Sequence, residues 1–382
     1  RILIIDGAMG TMLQQENLSA EDFGGEQYEG CNEYLVLTRS DVISKIHRAY
    51  LEAGADIIST DTFGGTPLVL NEYGLGHKAY EINKRAVELA KAEAEKYSTS
   101  DWPRFVAGSM GPTTKTLSVT GGVTFDELAE NFYIQAKALI DGGADLLLLE
   151  TSQDMLNVKA ATLGIKRAFE ETGKELPVMV SATIEPMGTT LAGQSIEAFY
   201  ISIEHIHPIS IGLNCATGPE FMTDHIRSLS ELSTSYISCY PNAGLPDEEG
   251  HYHETPESLS TKLKGFAEKG WLNIVGGCCG TTPAHIKAIR EAIKDYKPRP
   301  KKEKSHGHAV SGIEPLVYDD SMRPLFIGER TNVIGSRKFK QLIIEGKYEE
   351  AAEIARAQVK NGAHVIDICL ANPDRDELED MR

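Results

Sequence analysis

The sequence predicts an α/β protein: a (β/α)8 TIM barrel, then a linker, then the first βαβ portion of a second, incomplete (β/α)8 barrel. Three observations carry this. Short apolar runs alternate with amphipathic stretches at a steady beat. Most of the runs are apolar throughout, not at every second residue, as parallel strands covered on both faces require. The pattern then stops at a basic, proline-containing stretch and restarts beyond it.

Eight strands are expected before residue 282: Ile2–Asp6, Asp56–Thr60, Phe105–Ser109, Asp145–Glu150, Val178–Thr183, Ile209–Asn214, Tyr236–Tyr240 and Asn273–Gly276. Amphipathic stretches such as Asp41–Ala53, Tyr80–Tyr97, Phe125–Gly142 and Glu257–Lys269 supply covering helices. LEAGAD, LIDGGAD and AEKGWLN leave their helices on glycine, which tolerates a left-handed exit. Eight βα units over about 290 residues fit a barrel. An open doubly wound sheet is the alternative, and no G-x-G-x-x-G follows an early strand to favour it. The barrel is assigned to residues 1–298 and the linker to 299–320; the stretch Lys297–Gly312, KPRPKKEKSHGHAVSG, lacks hydrophobic periodicity, and His306 and His308 read as solvated side chains. Residues 321–382 open the second domain, with a strand at Leu325–Ile327, a helix over Lys338–Lys360, a strand at His364–Leu370 and an acidic helix from Asp374. This is far short of the ~250 residues of a barrel, so the domain is expected to be truncated.

A chain of 382 residues, 41% hydrophobic and 25% charged, can bury a large core. Its formal net charge of −18 argues against nucleic acid or an anionic membrane as a partner. No apolar run approaches the roughly 20 residues that cross a bilayer, and RILIIDGAMG is too short in its apolar part for a signal peptide. Six cysteines in a chain of this length make no disulfide framework, so a reducing cytoplasm is the expected compartment.

Three of those cysteines carry the chemistry. Cys215 in GLNCATG and the adjacent Cys278 and Cys279 in NIVGGCCGTT each follow a strand-like run, so all three face the barrel rim where active sites sit. Neighbouring Cα atoms about 3.8 Å apart are too close for an unstrained disulfide. Both side chains can reach one ion only if the backbone turns, which Gly276, Gly277 and Gly280 permit. Three thiolates with an open fourth position describe a catalytic Zn²⁺ site, and buried thiols acting as small hydrophobes are the alternative. Such a zinc suits the capture and ionisation of a substrate thiol.

Around it, the turn Asp6-Gly7-Ala8-Met9 offers backbone N–H groups to a carboxylate, and Glu150, closing LLLLE, offers a carboxylate to an ammonium. Helix capping or a lysine partner is the alternative role for Glu150. Asn242, in YPNAG, could orient substrate, fill the fourth zinc position without it, or simply form a turn. A thiol amino acid held at both ends of its main chain is the implied substrate, and methyl transfer to sulfur the implied reaction.

The motifs DGAMGT, ADIISTDTFGG, GSMGPT, LLLLET, GLNCATG, YPNAG and GGCCGTTPAHI together resemble the homocysteine S-methyltransferase family, from Arg1 to about Pro298. The resemblance implies that Cys215, Cys278 and Cys279 ligate zinc and that Asp6, Gly7, Ala8, Met9 and Glu150 hold homocysteine. FIGERTNVIGSRKF and AHVIDICLANPDRDE resemble the start of a pterin-binding, folate-barrel domain. That implies pterin contacts for Glu329, Arg330, Asn332 and Asp367. Cys369 stands where the family has asparagine, with Asn372 as its substitute. Barrel and tail in this order resemble the amino-terminal half of the cobalamin-dependent methionine synthases. This implies methylcobalamin as immediate donor, 5-methyltetrahydrofolate as co-substrate, and a cobalamin-binding domain or protein as partner, since no D-x-H-x-x-G occurs here. A homocysteine S-methyltransferase using S-methylmethionine or betaine, and a non-enzymatic zinc- or thiol-binding module, are the alternatives.

Overall fold

The computed structural model describes residues 1–303 and 306–381. The chain forms two compact units, Arg1–Leu316 and Val317–Arg382. In the first, eight parallel strands follow one another round a barrel: β1 (Leu3–Ile4), β2 (Ile57–Ser59), β3 (Phe105–Met110), β4 (Leu146–Ser152), β5 (Val178–Ala182), β6 (Ser210–Asn214), β7 (Tyr236–Tyr240) and β8 (Ile274–Val275). β1 pairs with β8, and the seam between β1 and β2 is closed by an Ile5–Ile57 bridge and by the Asp6 and Asp56 N–H groups, 3.0 and 2.7 Å from Ile57 O and Ile4 O. All eight expected strands are present, with ends within a few residues of the expected ones.

The apolar runs have the reason anticipated. Ile5, Ile57, Ala107, Leu148, Met179 and Ile274 fill the barrel interior. Their neighbours Ile4, Ile58, Val106, Leu147, Leu149 and Val180 pack outward in the core shared with the helices. A strand buried on both faces needs apolar residues at both phases of its two-residue repeat. The helix Ser40–Ala53 ends at a left-handed Gly54 and Phe125–Gly142 at a left-handed Gly143, as the glycine exits predicted. A Thr124–Glu127 capping box starts the latter, and Pro219, Pro256 and Pro283 open three later helices at their first turn.

Beyond the last barrel helix the chain stays tied to the base of the strands. Arg299 is buried, donates to the carbonyls of Ser230, Ser233 and Ser235, and its own carbonyl accepts from Asn273 Nδ2 at 2.8 Å. His306 is not the solvated linker histidine expected: its side chain is 13% exposed and Nε2 lies 2.9 Å from Glu204 Oε1. The stretch read as structureless contains the strand His308–Ser311, and Ile313 O accepts from the N–H of Ser195 at 2.9 Å. Backbone pairing supplied order where side-chain periodicity gave no signal.

The second unit pairs the strand Ile327–Asn332 in parallel with Val365–Cys369, around a small core of Val333, Phe339, Leu342, Ile343, Ala351 and Leu370. The strand begins where the apolar run was expected to end and continues through polar residues, because ladder bonds use backbone groups whatever the side chain. The single helix expected over Lys338–Lys360 is two, Arg337–Ile344 and Tyr348–Lys360, broken where Gly346 takes a φ of 68°.

Candidate active site

The rim at the carboxyl ends of the strands collects the sequence-derived residues of the first unit. Cys215 follows β6, and Cys278 and Cys279 lie in the turn after β8, closed by a Thr281 N–H to Cys278 O bond of 3.0 Å. The three Sγ atoms all lie within 4.8 Å of one another, with Cys215 and Cys279 at 3.7 Å. Thiolates ~2.3 Å from a tetrahedral zinc stand about 3.8 Å apart, so the donor set fits that ion and leaves one corner open. The turn is enforced by packing: Gly280 has a φ of 79°, and a Cβ there would stand 2.3 Å from Tyr252 Cβ. On the other side of the cluster, Cys215 and Ala216 are both left-handed, at φ 58° and 56°. The cluster favours one thiolate at the expense of the other two thiols. Hydrogen bonds from Cys215 and Cys278 push the Cys279 thiol down, while Cys278 is pushed up by its contacts with Cys215 and Cys279, and Cys215 is pushed up to about 12.

Asp6 and Glu150 are both buried at this rim. Asp6 accepts from the Ser59 N–H (2.8 Å) and hydroxyl (2.6 Å), and Glu150 from Ser109 Oγ at 2.5 Å. Burial nevertheless pushes each carboxyl up to about 7, against the hydrogen bonds that lower it. Beside Glu150 the Tyr240 hydroxyl is buried, close to both that carboxyl and Ser181. Two protonatable carboxyls and a buried hydroxyl make this part of the rim chemically suited to an ammonium.

The Asp6–Met9 turn is stitched to the cysteine loop. Thr281 Oγ1 accepts from Ala8 N at 3.3 Å, Tyr50 donates to Ala8 O at 2.9 Å, and Thr11 Oγ1 accepts from Gly280 N at 2.9 Å. Gly7 lies so close that a Cβ would meet Thr281 Oγ1 at 2.7 Å, and Met9 begins a short helix. Asn242 is buried, and its Oδ1 accepts from the Cys279 N–H at 3.1 Å, which holds the cysteine loop. Sequence reasoning missed Ser59, Ser109, Tyr50, Thr281 and above all Asn214, which bonds Thr151, Ser181 and Cys278. Its signal was a polar residue at the end of an apolar strand, directly before Cys215.

In the second unit Asn332 Nδ2 donates to Asp367 Oδ2 at 3.2 Å. Glu329 and Arg330 are exposed at the irregularity between Gly328 and Thr331. Arg330 lines a cavity of about 530 Å³ with Phe326 and Gln358, whereas the buried Asn372 lines another of about 780 Å³ with Val333, Arg337 and Arg375. Asn332 and Asp367 are brought together, and Arg330 and Asn372 are not.

Residues 3–293 match the model of the homocysteine S-methyltransferase family, and residues 328–382 match that of the pterin binding enzymes. Among solved structures the chain is similar to the homocysteine methyltransferase MmuM from Escherichia coli. In its metallated form that protein is 23% identical with a TM-score of 0.63, over 76% of this chain and 96% of that one. In its oxidized form it is 22% identical with a TM-score of 0.60, over 76% and 95%. A family match across most of the chain, on a barrel whose rim gathers three cysteines and two buried carboxyls, leads to one assignment: this is a methyltransferase chain that belongs to the homocysteine S-methyltransferase family, with a stretch similar to pterin binding enzymes after its barrel.

Proposed function

We propose that the barrel binds homocysteine and activates its thiol on a zinc ion held by Cys215, Cys278 and Cys279. The methyl group would come from methylcobalamin, carried by a cobalamin-binding domain or protein, and originally from 5-methyltetrahydrofolate. Bound zinc would remove the proton of a thiol whose ordinary pKa is about 8.5, giving a nucleophile at neutral pH. Asp6 and Glu150, ionised, would take the substrate ammonium, and the Gly7–Met9 backbone would receive its carboxylate. Asn242 is the residue we assign to the metal's fourth position when substrate is absent. Glu329, Arg330, Asn332, Asp367 and Asn372 are the residues we assign to the pterin. Six unpaired thiols suit a reducing cytoplasm. Among the described residues no helix is long and apolar enough to cross a membrane.

The observation that carries this reading is one rim holding three mutually close sulfurs and two buried carboxyls. Family membership alone is equally consistent with S-methylmethionine or betaine as donor. The pterin-binding match at residues 328–382 favours a folate-derived methyl group. The test is methionine formation by the zinc-loaded chain from homocysteine and each donor in turn. Slow product from free methylcobalamin is expected. Turnover with S-methylmethionine or betaine and none with methylcobalamin would replace the donor assignment, and no product from any donor would favour a binding module.

A further inference from the structure

Asn214 is fully buried at the last position of β6. Its amide has one possible orientation. The Thr151 backbone N–H can only donate, so Oδ1 must face it (3.0 Å), and that oxygen also accepts from Ser181 Oγ at 2.7 Å. Nδ2 is thereby turned the other way. It donates to Thr151 Oγ1 at 2.8 Å and lies 3.9 Å from Cys278 Sγ. Thr151 follows Glu150 and is left-handed, at φ 57°, beside a break in register between β4 and β5. Asn214 thus clamps this residue by both backbone and side chain, presents an N–H to one sulfur and is bonded to the residue bearing another.

We propose that Asn214 is a positioning residue that couples the ammonium grip at Glu150 to the electronic state of the Cys278 sulfur. The inference rests on the metal and homocysteine reading above. An N–H aimed at a thiolate draws charge from it, so Cys278 donates less to the bound metal; partners of this kind tune metal sites as strongly as 10- to 100-fold in affinity or activity. The Thr151 clamp stops the strained end of β4 from relaxing and swinging Glu150 off the substrate nitrogen.

The test uses the full chain loaded with cobalt(II), whose sulfur-to-metal charge-transfer band reports thiolate donation, together with homocysteine titrations. N214D keeps both acceptor bonds but has no N–H, and its band should move to longer wavelength. T151V should raise the homocysteine Kd about tenfold, with T151S restoring wild-type affinity. Should N214D not fold, S181A, which frees one of the two bonds orienting the amide, is expected to shift the band in the same direction by less. An unshifted band in the folded Asn214 variant, or in S181A in its place, overturns the inference, as does equal loss of affinity in T151V and T151S. A wild-type chain that takes up no cobalt would instead sink the metal reading itself.

Discussion

Burial of Glu150 costs the barrel stability, which the proposed grip on an ammonium would explain. Its carboxyl ionises near 7 in the folded barrel and near 4.5 ordinarily, so the folded state holds the extra proton between those values. Stability from this group therefore falls as pH rises from about 4.5 to 7 and stays lowered above, by on the order of 3 kcal/mol. Glu150→Gln should accordingly raise the melting temperature of the metal-free protein at pH 8 while abolishing homocysteine binding, read by thermal denaturation and calorimetry. On the proposed reading, at least one of Asp6 and Glu150 ionises to hold an ammonium. Binding of methionine, which has no ionisable thiol, should weaken about tenfold between pH 8 and pH 6 if one proton must leave a group near 7. A flat profile would separate these carboxyls from the ligand. Cys278→Ser should cut zinc content on purification to near zero, by metal analysis, because two thiolates and a hydroxyl hold zinc poorly. The cysteines, Asp6 and Glu150 were legible because each is a reactive residue ending an apolar run. Ser59, Ser109 and Asn214 were not, because small polar residues signal nothing until their partners from other strands are known.

At the scale of elements, the barrel strands were readable because burial on both faces leaves an uninterrupted apolar run, whereas the strand Ile327–Asn332 was misplaced because its pairing owes nothing to side-chain polarity. The helix break at Gly346 was hidden by apolar spacing that continues across it. The loop after β8 is the element on which the site most depends. Gly280→Ala would push a Cβ into Tyr252 and strain a positive φ, a combined penalty of roughly 1–3 kcal/mol. Its expected result is a zinc affinity reduced at least tenfold with the far-ultraviolet circular dichroism unchanged. Unaltered zinc binding in a folded Gly280→Ala chain would show that the loop does not need this turn.

At the scale of the whole molecule, the two units have separate cores, and the first extends past its last helix. A piece ending at residue 298 would leave the carbonyls of Ser230, Ser233 and Ser235 without the Arg299 guanidinium. It should melt several degrees below one ending at residue 316, since buried unpaired acceptors carry a penalty of about 1–3 kcal/mol each. Equal melting temperatures would reduce Arg299 to a surface tether. The three left-handed residues at the rim, Thr151, Cys215 and Ala216, carry a different consequence. Glycine would sit there without protest, yet the barrel keeps side chains whose discomfort pins the sulfurs and the Glu150 strand end in register. Such a molecule is easy to harden and hard to improve: changes that relax its rim yield a sturdier scaffold and a blunter catalyst.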